Sequence, residues 1–244
     1  MAAALGWGLL SASSLVVGMI AALLRPWPKR AVGLVLAFGA GALISAVSFE
    51  LAAEGVNEGS ATSVAIGLAV GALVYYVLDG VVSGGGRSKR RGRRGRAQQG
   101  ENAGSALALG ALLDGIPEQL VLGIGLASGK GVGVGLLVAI FVSNLPEAIG
   151  SADSMRHAGR RNSYVARLWV AVAVVCTVAS VVGYAAADLA SGELKAGIDG
   201  FAAGALLVML VDSMIPEAYR DGGRAAGLVT ALGFAVAAGL SAAS

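Results

Sequence analysis

Apolar residues run along this chain in long stretches, separated by short polar turns and, once, by a long basic segment. Stretches at roughly 5–24, 31–54, 61–82, 104–127, 131–153, 164–188, 197–219 and 224–243 each approach the ~20 apolar residues that a helix needs to cross a hydrocarbon layer. The pattern therefore predicts an all-α membrane protein with eight transmembrane helices. Little chain remains between the stretches, so residues 1–244 read as a single transmembrane domain. The first stretch has no positive segment before it and is followed by Arg25-Pro26-Trp27-Pro28-Lys29-Arg30. That order predicts a retained helix rather than a cleaved leader.

Composition agrees with this class. The chain is 56% hydrophobic and 14% charged, with 38 glycines and a mean hydropathy of +0.77. Glycine and alanine let helices approach closely in lipid, where no hydrophobic effect draws them together. The net charge of +3 is small, but its distribution is lopsided. If the turn after the first stretch is cytoplasmic and the sides then alternate, all the basic residues but Lys130 and Lys195 fall on the cytoplasmic side. The positive-inside rule then puts both termini outside a plasma membrane and supports an even number of spans.

Residues 83–103 hold the densest charge, from Arg87 through Arg96, amid glycine and almost no apolar side chains. They read as a flexible cytoplasmic loop whose basic residues suit anionic lipid headgroups rather than nucleic acid. An internal repeat links the second and seventh stretches. Phe38-Gly39-Ala40-Gly41-Ala42-Leu43 aligns with Phe201-Ala202-Ala203-Gly204-Ala205-Leu206, and in the same register Glu54 aligns with Glu217. Two three-helix units around a central pair follow, a 3+2+3 arrangement in which the units are inverted relative to one another.

Acids within the apolar stretches carry the chemistry. An ionised carboxylate in hydrocarbon is costly enough to need a partner or a task. Asp114 and Glu118 stand four apart, as do Ser143 and Glu147, and as do Glu50 and Glu54, so each pair shares a helix face. Asn144 lies one step round from Ser143, and Asp212 and Glu217 add acids to the seventh stretch. Pro117, Pro146 and Pro216 precede Glu118, Glu147 and Glu217. Each proline frees the carbonyl four residues earlier, Leu113 and Val142 in the central pair. No basic residue lies in mid-stretch to pair with these acids, which leaves shared protons or bound cations. Asp114, Glu118, Ser143, Asn144 and Glu147, with Glu50, Asp212 and Glu217, are the candidate metal ligands. Cys176, the single cysteine, reads as a small buried hydrophobe, and His157 as a surface residue in a basic turn.

At these residues the chain resembles the ZIP family of divalent-metal transporters, whose fourth helix carries His-Asn-x-Pro-Glu-Gly and whose fifth carries a related Pro-Glu motif. Pro117-Glu118 and Pro146-Glu147 match the two Pro-Glu pairs. Ser48-Phe49-Glu50-Leu51-Ala52-Ala53-Glu54 is similar to the family's segment in the second helix, without its proline, and Asp212-Ser213-Met214-Ile215-Pro216-Glu217 to that in the seventh. The resemblance implies a two-metal site halfway across the membrane. Asp114 and Ser143 stand where the family has histidine, Gly115 where it has asparagine, and Gln119 where it has glycine. Zinc favours nitrogen and sulfur donors, whereas oxygen donors suit harder ions, so manganese or iron competes with zinc as the divalent substrate.

The function expected is secondary transport of a divalent cation by alternating access, with no resident cofactor and no catalytic residues. No ATP-binding motif appears, so ion gradients or the membrane potential would drive it. A zinc hydrolase would need a histidine or cysteine cluster, which is missing, and an enzyme is not expected. The alternative is a family member that binds or senses metal without moving it. A homodimer is compatible with either.

Overall fold

The computed structural model describes residues 1–87, 112, 115–127, 134–189 and 192–243. These form α1 (Ala2–Leu24), α2 (Lys29–Glu58), α3 (Ala61–Arg87), α4 (Gly115–Ala127), α5 (Val134–His157), α6 (Asn162–Leu189), α7 (Glu193–Gly222) and α8 (Ala225–Ala243). Seven are long and apolar enough to cross a membrane, and α4 is a shorter apolar helix over its described length. No strand occurs among the described residues.

Several helices outrun the apolar stretches that announce them. α2 continues to Glu58, α7 starts at Glu193 and ends at Gly222, and α3 runs on through Arg87 into the basic segment. Apolarity reports burial in lipid, whereas the backbone can stay helical into charged turns as long as its hydrogen bonds can be made. Sharp turns then reverse the chain. Gly223, between α7 and α8, has φ 65°, a region in which only glycine is unstrained.

The turns α1–α2, α5–α6 and α7–α8 gather at one end of the bundle. Arg156 of α5 donates to the carbonyl of Ala22 in α1, Trp27 Nε1 donates to that of Ala21 at 3.0 Å, and Gly33 of α2 abuts Asp221 and Gly222 of α7. Arginines crowd these turns, so this is the basic end. At the opposite end Lys195 of α7 pairs with Glu58 of α2 at 2.7 Å, and Ser60 and Ser63 both bond Glu193.

α5 sits at the centre. It contributes Leu136, Ala139 and Ile140 to a core shared with α2, α4 and α7, and Ala148, Ile149 and Met155 to a second core with α1 and α6. Large apolar side chains on α3, α6 and α8 point outward, among them Leu73, Tyr76, Val174, Val178 and Leu228. An outward face this apolar suits lipid rather than water.

α2 and α7 share a departure from α winding. Each widens to a π-helical segment, Val47–Ala53 in α2 and Leu210–Met214 in α7. Val47 and Leu210 stand in the same register of the internal repeat as Phe38 and Phe201. The packing repeats as well. α2 packs on α8 and α7 on α3. Gly233 of α8 lies against the Phe38 carbonyl, and Gly71 of α3 lies against the Phe201 carbonyl, each too close for a Cβ.

Candidate metal centre

Gly115-Ile116-Pro117-Glu118 lies in α4, and the proline, which has no N–H to give the helix, stands directly before Glu118. Glu118 is wholly buried, and Ser143 Oγ of α5, also wholly buried, lies 3.2 Å from its Oε1. The same hydroxyl lies 3.0 Å from the Ile140 carbonyl, so its one proton serves two acceptors. α2 closes the third side. A Cβ on Gly39 would stand 2.7 Å from Ser143 Cα, a backbone approach that a side chain there would prevent.

Asn144 is the anomaly. It has no exposed surface, and neither its amide nitrogen nor its carbonyl oxygen finds a hydrogen-bond partner. A buried, wholly unsatisfied amide costs folding free energy, and such groups point to a ligand, an ion or water. Asn144 follows Ser143 directly in α5.

Glu147 lies one turn further along α5, about 6 Å of helix rise from Ser143. It is partly buried and forms the wall of a cavity of about 160 Å³. Lys29, Asp153, Glu217, Arg220 and Asp221 line the same cavity, which places it at the basic end. Glu217 is half exposed and bonds Arg220 at 2.9 Å. In the other direction, Glu50 in the π segment of α2 accepts a hydrogen bond from Ser241 Oγ of α8 and another from the backbone N–H of Leu136. Leu136 precedes Ser143 by two turns, about 10 Å. The acids Glu50, Glu118, Glu147 and Glu217 are therefore strung along α5 as successive levels.

The expected ligands thus separate. Glu118 and Ser143 come together, Asn144 is buried next to Ser143 in the chain, Glu147 and Glu217 share a cavity, and Glu50 lies two turns away. Asp212 is on an exposed face of α7, and Asp114, with the Leu113 carbonyl, lies outside the described residues. Among the described residues no three histidine, cysteine, aspartate or glutamate side chains form a group that could hold a metal ion. His157 is exposed beside Asp153, as a surface residue should be.

Two contacts escaped the sequence reading. Gln119 Nε2 donates to Ser11 Oγ of α1 at 2.9 Å, both residues wholly buried. Cys176 Sγ lies 2.8 Å from where a Cβ on Gly115 would stand, so the thiol fills the space beside the α4 motif. Both join residues far apart in the chain, and no local spacing announces them.

The model of the family described as ZIP zinc transporter matches residues 83–241. The chain is also similar to a protein of Arabidopsis thaliana named "Putative zinc transporter At3g08650", with 30% identity over 194 residues. That match covers 78% of this chain and 30% of the plant protein, so the chain spans about a third of its relative's length.

Proposed function

Because the chain belongs to the ZIP zinc transporter family, we propose that it carries a divalent metal cation across the membrane by alternating access through the α4–α5 centre. The observation that carries this reading is the buried Glu118–Ser143 contact with the unsatisfied Asn144 next to Ser143 in the chain. A carboxylate, a hydroxyl and an amide oxygen can replace water around a cation, and the carboxylate offsets its charge. Asp114, four residues before Glu118 in the sequence, is the candidate for a second carboxylate. The levels at Glu50 and Glu147 continue the oxygen donors toward the two ends of the bundle. The metal is substrate here, zinc by family precedent, with manganese and iron favoured by a set of oxygen donors.

The basic end faces the cytoplasm in this reading, with both termini outside a plasma membrane. The repeated π segments and the matched Gly71 and Gly233 contacts support two inverted three-helix units around α4 and α5. Single cysteines at Ser88 and Ala2, in a background lacking Cys176, test the orientation. In intact cells an impermeant thiol reagent should modify position 2 alone, and reaction at position 88 alone reverses the assignment.

The transport reading is tested by Glu118→Gln and Glu147→Gln in proteoliposomes. Each keeps side-chain volume and removes the charge that offsets dehydration of the ion, so flux should vanish while the protein remains folded. Normal flux in both removes the reading's central residues. The replacement of the family's histidines by Asp114 and Ser143 favours a second reading, a metal-binding member that does not transport. Metal binding by the wild type without flux in the same vesicles selects it.

A further inference from the structure

The cavity below Glu147 already contains a cation, and that cation is part of the protein. Arg220 Nη2 lies 2.9 Å from Glu217 Oε1 and 3.2 Å from Asp221 Oδ2, and Nε lies 2.9 Å from Asp221 Oδ1. All three residues line the cavity that reaches Glu147. Glu217 and Asp221 are four apart on α7 and so share a face, which the planar guanidinium bridges. Four acids line the cavity, Glu147, Asp153, Glu217 and Asp221, against two bases, Lys29 and Arg220.

The strength of this clamp matters. The Arg220 side chain is 66% exposed and that of Glu217 is 49% exposed, so water screens that pair, while Asp221, 17% exposed, holds the guanidinium through two contacts. The guanidinium nevertheless keeps its charge at every relevant pH. Held at Asp221, it can let go of Glu217 for an arriving ion and return when that ion leaves. Without it, two carboxylates on one helix face would lie in the path of a divalent ion leaving Glu147. Oxygen sites of that kind hold such ions, and a path conducts only if each stop lets go.

Resting on the transport reading above, we propose that Arg220 is a tethered cation that occupies the mouth's carboxylates in the metal's place and so sets how fast metal is released. Lys29 of α2 adds a second positive group to the lining of the same cavity. The contacts of Arg220 lie within α7, while Glu147 lies on α5 across the cavity, so the clamp acts on release and leaves the Glu118–Ser143 contact untouched.

Purified full-length protein titrated with Mn²⁺ tests this, with free ion counted by electron paramagnetic resonance and flux measured in proteoliposomes. Arg220→Gln should bind about one more Mn²⁺ per chain than the wild type and lower the flux at saturating Mn²⁺ roughly fivefold, because the ion now lingers in the mouth. Arg220→Lys, which restores a tethered charge, should return both readings most of the way. Adding Glu217→Gln and Asp221→Asn to Arg220→Gln should abolish the extra ion. The proposal is overturned if Arg220→Gln changes neither count nor flux, or if the extra ion survives the triple change. The binding count needs no transport: an extra ion in Arg220→Gln with no flux in the wild type keeps the clamp and removes the transport reading instead.

Discussion

α2 and α7 make the same departure from α winding at matching places and then treat their acids in opposite ways. In α2 the π segment turns Glu50 inward, where Ser241 of α8 and the backbone of Leu136 in α5 hold it. In α7 the π segment leaves Asp212 exposed, and Glu217 just beyond is answered by Arg220 of its own helix. The difference separates two causes. The wide backbone turn forms in α2 without a proline, since Ala53 in α2 stands where Pro216 stands in α7. The fate of each acid is set by whichever helix packs over it. π segments recur at functional sites because they re-aim side chains without ending a helix.

If this division is right, substitutions should matter in the order of how firmly neighbouring helices hold the acid. The largest effect belongs to Glu118, enclosed by α4 and α5 with no exposed surface. Glu118→Gln should lower metal flux by at least about 100-fold, since removing a charge costs most where the surroundings are least polar. Glu217→Gln, on the solvated side of the comparison, should lower it no more than about threefold. Equal losses in the two variants would erase the distinction between enclosed and open acids.

Next in size is a change of preference rather than of rate. Asp114→His with Ser143→His supplies two imidazoles where the family has histidine. The ratio of zinc to manganese flux should rise about tenfold, because imidazole is the better donor to zinc. Unchanged selectivity would mean that neither position reaches the ion.

The comparison also predicts unequal stability. Glu50→Gln weakens charge-assisted hydrogen bonds from Ser241 and Leu136 and should cost about 1.5–3 kcal/mol, read as a lower melting temperature in detergent. Asp212→Asn, on an exposed face, should stay within about 0.5 kcal/mol of wild type. A larger loss for Asp212→Asn than for Glu50→Gln would reverse the roles assigned to the two π segments.

Much of the scaffold was legible in the sequence, because a membrane span is written in one continuous run of residues. The helix ends were less so. Glu193 and Lys195 are helical although polar and precede the apolar run, and hydropathy stops where the apolar run stops. Burial of Glu118 with Ser143 was legible from the four-residue spacings and the cost of a lipid-facing acid. The separation of Glu50 from that pair was not, since it depends on where α2 and α8 pack against α5. The Arg220 clamp could have been found: Glu217 precedes Arg220 by three residues on one helix, a spacing that brings such pairs together. The Gln119–Ser11 bond joins α4 to α1 and leaves no local trace. Nor do the π segments, which extend only seven and five residues and are too short to shift the apolar period visibly.

The smallest effect is the most direct test of where the π segment of α7 comes from. Pro216 lacks an N–H and cannot close an α-helical bond to the Asp212 carbonyl, so the proline is the obvious local cause of the widened turn. α2 argues otherwise, with its own π segment and an alanine at the matching place. Pro216→Ala should therefore keep the π winding, with flux within about twofold and a melting temperature within a few degrees of wild type. A nitroxide attached at Asp212→Cys, with Cys176 replaced by serine, reports the winding itself. Loss of the extra residue in the turn would rotate position 212 by about 100° relative to the helix beyond it and bring an exposed site against its neighbours. Unchanged probe mobility in Pro216→Ala would assign the π segment to the packing shared by α2 and α7. An immobilised probe would assign it to the proline, and the likeness of the two helices would then have separate causes.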